Sequence, residues 1–203
     1  MLNIPPFCPK CSRHLGTHPK NTKCMNCSRA ELFFDFAWCA CFFEDPLKDL
    51  IHQFKYNQKT QLSGQFSKLM VHFIKEYHMD IEQFDFMVPI PLHPTRKRER
   101  GYNQSFLLAS QLSRIFNINL NINLLIKTKN TKNQSLLSKK ERWTNITGAF
   151  KIKNPNEVNN KSILLIDDLL TTGATSSEAA KALKSAGAKT VGVFTLAGTK
   201  LER

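Results

Sequence analysis

Two carboxylates in succession, Asp167-Asp168, stand just ahead of a run of small and hydroxyl-bearing residues, Thr171-Thr172-Gly173-Ala174-Thr175. Ionised carboxylates about 5 to 6 Å apart repel by roughly 3 kcal/mol at an effective dielectric near 20, so hydroxyl donors or a divalent cation must offset the charge. The Thr and Gly residues have a complementary chemistry. A loop of this kind leading into a helix suits an anion, because a helix N-terminus carries unpaired N–H groups and a partial positive charge, and glycine lets the backbone approach closely. A polyol that carries a phosphate satisfies both halves of the stretch.

The elements that must position this chemistry lie on either side. Ile163-Leu164-Leu165-Ile166 reads as a strand buried on both faces, and its exit is expected where the apolar run meets the two carboxylates. Beyond the turn, Ala179, Ala180, Leu183 and Ala186 fall at helical spacing over 176–186, with Gly187 at the expected C-terminal stop. The unit is strand, polar turn, helix.

A second concentration of chemistry is sulfur. Cys8-Pro9-Lys10-Cys11 and Cys24-Met25-Asn26-Cys27 are two knuckles whose spacing fits one tetrahedral, four-cysteine structural zinc site with no position left open for catalysis. Metal binding on the scale of about 10 to 16 kcal/mol would order a segment with little core of its own. A redox dithiol pair is the weaker reading, since no strand precedes either knuckle. His14 and His18 are left out of the ligand set, and Cys39 and Cys41, inside the aromatic-rich stretch 33–43, read as small buried hydrophobes on a strand.

Composition bounds the class. A chain of 203 residues with 41% hydrophobic content can bury a sizeable core, so disorder is excluded. No apolar run approaches the roughly 20 residues of a membrane span, and residues 1–6 hold no signal-peptide core, so a cytoplasmic location is expected, where cysteine clusters more often mean metal than disulfide. The net charge of +13 comes from three windows, 1–30, 93–104 and 127–142, which carry +5, +3 and +5. An excess so confined points to an anionic partner, with phosphate common to a small ligand and to nucleic acid.

Other elements follow from periodicity. Asp45-Pro46 opens a helix with Leu47, Leu50, Ile51 and Phe54 inward, and a longer one carries Leu62, Phe66, Leu69, Met70, Phe73, Ile74 and Tyr77. Residues 84–90 form a strand ending in prolines, followed by a basic loop, Thr95-Arg96-Lys97-Arg98-Glu99-Arg100, that turns at Gly101 into a helix with Leu108, Leu112, Ile115 and Phe116 inward. At the carboxyl edge of a sheet, such arginines can grip a phosphate through paired bonds. Alternating Asn and aliphatic residues over 116–124 predict a peripheral strand, 127–147 an active-site loop, and 190–196 the last strand. Aromatics beside cations, Tyr102 and Trp143, are open to base stacking or to core packing.

The stretch 163–175 resembles the phosphoribosyl-pyrophosphate (PRPP) signature of type I phosphoribosyltransferases. Residues 88–104, Val-Pro-Ile-Pro-Leu-His-Pro-Thr-Arg-Lys-Arg-Glu-Arg-Gly-Tyr-Asn-Gln, resemble the competence protein F (ComF) family, as do the cysteine knuckles, Phe54-Lys55-Tyr56 and the stretch 133–145. Family members often carry further cysteine pairs, whereas this chain has one set of four. The resemblance implies an α/β fold, a mostly parallel sheet flanked by helices, over 33–203, behind a small zinc-ribbon-like module over 1–32. It implies Asp167 and Asp168 at the ribose hydroxyls, Thr171, Thr172, Gly173, Ala174 and Thr175 around the 5′-phosphate, and Arg96, Arg98, Arg100 and Lys55 at a magnesium-bound pyrophosphate. It also implies a role in DNA uptake, with single-stranded DNA and proteins of the competence machinery as partners and Lys97, Tyr102, Lys139, Lys140, Arg142 and Trp143 as candidate contacts. The alternatives are a PRPP sensor without turnover, a DNA-binding competence factor, or a salvage-type transferase without a DNA role.

Overall fold

A computed structural model describes residues 2–16, 23–29, 31–132 and 137–199. Five strands form the main sheet in the order β1 (Phe36–Phe42), β7 (Thr190–Gly198), β6 (Ser162–Leu170), β2 (Phe86–Pro89) and β3 (Asn119–Leu120), every neighbouring pair parallel. A separate antiparallel pair joins β4 (Leu125–Lys127) to β5 (Phe150–Ile152).

The central position of β6 follows from its sequence. Ile163, Leu164, Leu165 and Ile166 have no exposed surface, and at about 1.5 to 3 kcal/mol for each such side chain this run anchors the domain. Alternation divides it between two cores. Ile163 and Leu165 pack with Ala179, Ala180 and Leu183 of α7 (Ala174–Ser185). Leu164 and Ile166 pack with Phe54 of α2 (Leu47–Tyr56), Phe66 and Met70 of α3 (Leu62–Glu76), and Leu108 and Leu112 of α5 (Gln104–Phe116). The cysteine segment, with the short α1 (Met25–Arg29), closes the β1 edge, where Leu2 pairs antiparallel with Cys41 and Cys8, Cys11 and Cys24 join the α7-side core.

Several expectations change in the structure. The strand does not leave the sheet at the carboxylates: β6 runs on through both to Leu170, because Asp167 and Leu169 still pair in register with Thr195 and Ala197 of β7. The basic stretch is not a loop but a helix, α4 (Pro94–Arg100), started by the His93 side chain, which accepts the Thr95 N–H, and by Pro94, and stopped by Gly101 at φ 84°. The alternating Asn segment gives only the two paired residues of β3. Asn117 takes the left-handed conformation that ends α5, and the Asn121 side chain accepts the Asn123 N–H, so asparagines make turns where a ladder was expected. The expected loop 127–147 contains α6 (Lys139–Ile146), whose Ser138 and Glu141 form a reciprocal capping box. Ile115 is 52% exposed rather than inward, Leu69 lies at the surface, and the cap at Pro46 has no side-chain bond from Asp45. His18 and residues 133–136 lie outside the described residues, as does the side chain of Lys139.

Candidate functional site

Parallel strands send their exits to one edge. The turn 171–173 follows β6 and the His93-capped start of α4 follows β2 at that edge, and Asn103 ties the start of α5 to the exit of β2: its side chain accepts the Ser105 N–H at 3.0 Å and donates to the Ile90 carbonyl at 3.0 Å. Gln104 and Ser105 are thereby aimed at β6. Ser105 Oγ donates to Asp167 Oδ1 at 2.8 Å, and Gln104 Nε2 lies 3.4 Å from Asp168 Oδ1. The end of α2 supplies the cation, Lys55 Nζ at 2.7 Å from Asp168 Oδ2, in a pair whose side chains are 20% and 4% exposed.

The two carboxylates therefore differ electrically. Burial and the neighbouring Asp168 charge push Asp167 up to about 7, while for Asp168 the cost of burial is outweighed by Lys55, which holds it below the usual range. One acid is compensated and its neighbour is short of positive charge, a donor set that fits a hard cation or ligand hydroxyls. The structure adds a cation that sequence reading missed: Lys127, half-buried with its ammonium 5.8 Å over the Phe150 ring, is lowered by burial to about 8 despite the opposing charge of Asp167. Its one visible signal was a lone Lys closing the apolar run Leu124-Leu125-Ile126.

The sign of the pH effect follows. Below pH about 4 Asp167 is protonated folded or unfolded; between its ordinary 3.8 and about 7 the folded protein keeps a proton the unfolded chain has lost, so this group's contribution to stability declines as pH rises through that window. The melting temperature should fall between pH 5 and 8, and Asp167→Asn should flatten that fall. An unchanged slope in the variant would place the titration elsewhere.

Gly173 carries φ 82° and its missing Cβ would stand 3.4 Å from Leu32, so the turn before α7 uses a glycine for conformation and for space. The Thr172 hydroxyl accepts the Ala174 N–H at 3.3 Å; Thr171, Thr172 and Thr175 are half-buried, Gly173 and Ala174 buried. Arg142 of α6 donates to Thr171 Oγ1 at 3.1 Å.

The basic residues separate into engaged and open ones. Arg100 donates to Gln104 at 2.5 Å and lies 5.3 Å over the Tyr56 ring, while Arg96 pairs on the surface with Glu99 at 3.0 Å. Such an exposed pair contributes only about 0.2 to 1 kcal/mol, so a phosphate can divert Arg96. Lys97, Arg98 and Lys140 are exposed, and Lys97 and Arg98 border a shallow hollow with Pro94 and Gly101. The Tyr102 hydroxyl donates to the Phe54 carbonyl and its ring packs beside Phe54, and Trp143 packs against the α7-side core.

The four cysteines of the N-terminal segment converge, with all four sulfurs within 4.8 Å of one another. Cys11 and Cys24 Sγ lie 3.4 Å apart, too far for a disulfide of about 2.05 Å and close to the roughly 3.8 Å between ligands of a tetrahedral metal with 2.3 Å bonds. The Cys24 N–H points at Cys8 Sγ, 3.4 Å away, a contact that favours the thiolate there. The set fits one ion such as zinc. Cys39 and Cys41 are buried free thiols outside it, both raised by burial to about 11.

Sheet order, carboxylate pair and glycine turn define a phosphoribosyltransferase fold with a cysteine module at its front, and a phosphoribosyl transferase domain model matches residues 103–203. The chain is 33% identical to Competence protein F of Haemophilus influenzae over 95% of its own length and 84% of the relative's, and 34% identical to Competence protein ComFC of Bacillus subtilis over 94% and 77%. The DNA utilization protein YhgH of Shigella flexneri matches at 29% over 95% and 84%. The chain belongs to the competence protein F family. Among the described residues no helix is long and apolar enough to cross a membrane.

Proposed function

We propose that the carboxyl edge binds PRPP together with Mg²⁺. The observation that carries this reading is the junction of two buried, unequally compensated carboxylates with the glycine turn that opens α7. Asp167 and Asp168 receive the ribose hydroxyls and would hold the cation's ligand sphere, Thr171 to Thr175 surround the 5′-phosphate, and Arg96, Arg98, Arg100 and Lys55 face the pyrophosphate. When bound, Mg²⁺ supplies neutralisation of the phosphate charge. The chemistry open to this chain is displacement of pyrophosphate from the ribose by a nitrogen nucleophile, the bond from C1 to the pyrophosphate oxygen breaking as the bond from C1 to nitrogen forms, with the paired carboxylates favouring the positive charge that develops at the sugar.

Titration calorimetry with Mg²⁺ and PRPP tests the reading. Wild-type protein should bind, and Asp168→Asn should lose at least about tenfold in affinity, equivalent to about 1.4 kcal/mol. Pyrophosphate release that depends on an added nitrogen acceptor and disappears in the same variant makes the protein a transferase; binding without release makes it a sensor. No heat and no thermal shift at saturating PRPP would end both.

The exposed cations of α4 and α6, with the competence and DNA utilization names of the relatives, favour single-stranded DNA as a second ligand at this face. Its log affinity should fall with log salt by about 0.7 for each phosphate contacted, and Lys97→Glu with Lys140→Glu should flatten that slope. Salt-insensitive binding would overturn this second reading. Location in the cytoplasm, proteins of the competence machinery as further partners, and the division into 1–32 and 33–203 belong to the same proposal.

A further inference from the structure

Arg13 stands two residues beyond Cys11 and is 9% exposed. A buried guanidinium needs a partner for its charge. One of its terminal nitrogens, Nη1, lies 3.8 Å from Cys11 Sγ, and the other, Nη2, donates to the backbone carbonyl of Thr171, the residue that opens the glycine turn. Among the described residues no carboxylate forms an ion pair with it. Arg13 therefore spans from a sulfur of the four-cysteine set to the turn, across 158 positions of sequence.

A second route runs in parallel. Leu32 and Phe34, in the segment that leaves the cysteine module, stand 3.4 and 3.6 Å from where a Gly173 side chain would begin. The Phe33 N–H donates to Ser177 Oγ of α7 at 3.0 Å, and Lys10, inside the first knuckle, donates to the Phe34 carbonyl. The floor of the turn is thus built from the cysteine module and its exit.

We propose that the metal site and the turn are energetically coupled through Arg13, which acts as a positioning residue: sulfurs fixed by a metal fix the guanidinium, and the guanidinium fixes the Thr171 carbonyl and the course of the turn. This rests on the reading of the turn as the phosphate site. Coupling of binding free energies is reciprocal, so a ligand in the turn raises the affinity for the metal by the same factor as the metal tightens the ligand.

The test uses the full chain as wild type, Arg13→Gln and Arg13→Lys. Three quantities are measured: metal per chain, hydrogen exchange of the amides at 171–175 with and without chelator, and Mg²⁺–PRPP affinity together with metal affinity by competition with a chelator at equilibrium. Arg13→Gln should keep one metal per chain, exchange the turn amides about tenfold faster or more, and bind PRPP at least about fivefold more weakly, at the lower end of typical coupling. Arg13→Lys, which keeps the charge without the fork, should fall between. PRPP should raise metal affinity at least about fivefold in wild type and not in Arg13→Gln.

Wild-type exchange and affinity in Arg13→Gln would overturn the proposal, as would turn amides in the wild type that ignore metal removal. Should Arg13→Gln misfold, Arg13→Lys and the wild-type exchange with and without metal decide it. A wild type that ignores PRPP while its turn still responds to Arg13 and to metal removes the ligand reading and leaves the coupling. PRPP binding indifferent to Arg13 does the reverse.

Discussion

Removing the metal, or replacing Cys8 by serine, is expected to unfold the N-terminal segment and lower the melting temperature of the whole chain by at least about 10 °C. The scale of structural zinc binding, about 10 to 16 kcal/mol, equals or exceeds the roughly 5 to 15 kcal/mol that holds a typical domain together. A chain of this size loses about 2 to 4 °C per kcal/mol, so even a third of that energy is visible. The effect spreads beyond residues 2–29 because Cys8, Cys11 and Cys24 share a core with Ala37, Val193 and Ala174. Calorimetric unfolding beside metal analysis measures it. Purified protein that is fully folded with far less than one metal per chain would refute the expectation.

Lys55→Met should destabilise the chain by about 3 to 5 kcal/mol, since it leaves the Asp168 carboxylate buried beside a second acid with its nearest cation gone. Stability then falls most above pH about 7, where Asp167 gives up the proton it holds in the folded protein and both carboxylates carry charge, and recovers as pH falls and the pair takes that proton back. Adding Asp168→Asn removes the stranded charge, so the double variant should regain most of the loss; urea unfolding of the four proteins in this cycle isolates the pair's interaction. Equal losses in the single and double variants would show that Lys55 matters for something other than Asp168.

The sequence announced the centre of the molecule better than its borders. Residues 163–175 were legible because apolar run, acidic doublet and glycine turn coincide there, each supporting the others. The four cysteines were legible from spacing alone. What failed were segments where chemistry and periodicity disagree. Arg96 to Arg100 show no apolar stripe, so the helix was marked only by its ends, His93-Pro94 and Gly101. The asparagines of 117–123 alternate like a strand, yet Asn117 takes the left-handed turn that ends α5 and the Asn121 side chain bonds the nearby Asn123 N–H. In α6 the Ser138 and Glu141 pair was readable as a capping box, but a helix with so little apolar character did not stand out from a charged loop. Ser105 against Asp167 and Arg13 against Thr171 join positions 62 and 158 apart, contacts that only the order of strands creates.

No residue of α4 is buried: the helix is held by the caps at its two ends, and Arg96, Lys97 and Arg98 face outward while Arg100 reaches back to Gln104. Positions 96–98 can therefore be rewritten without disturbing either core, and substitutions there should alter which anions are chosen and how tightly while changing stability by no more than about 0.5 kcal/mol.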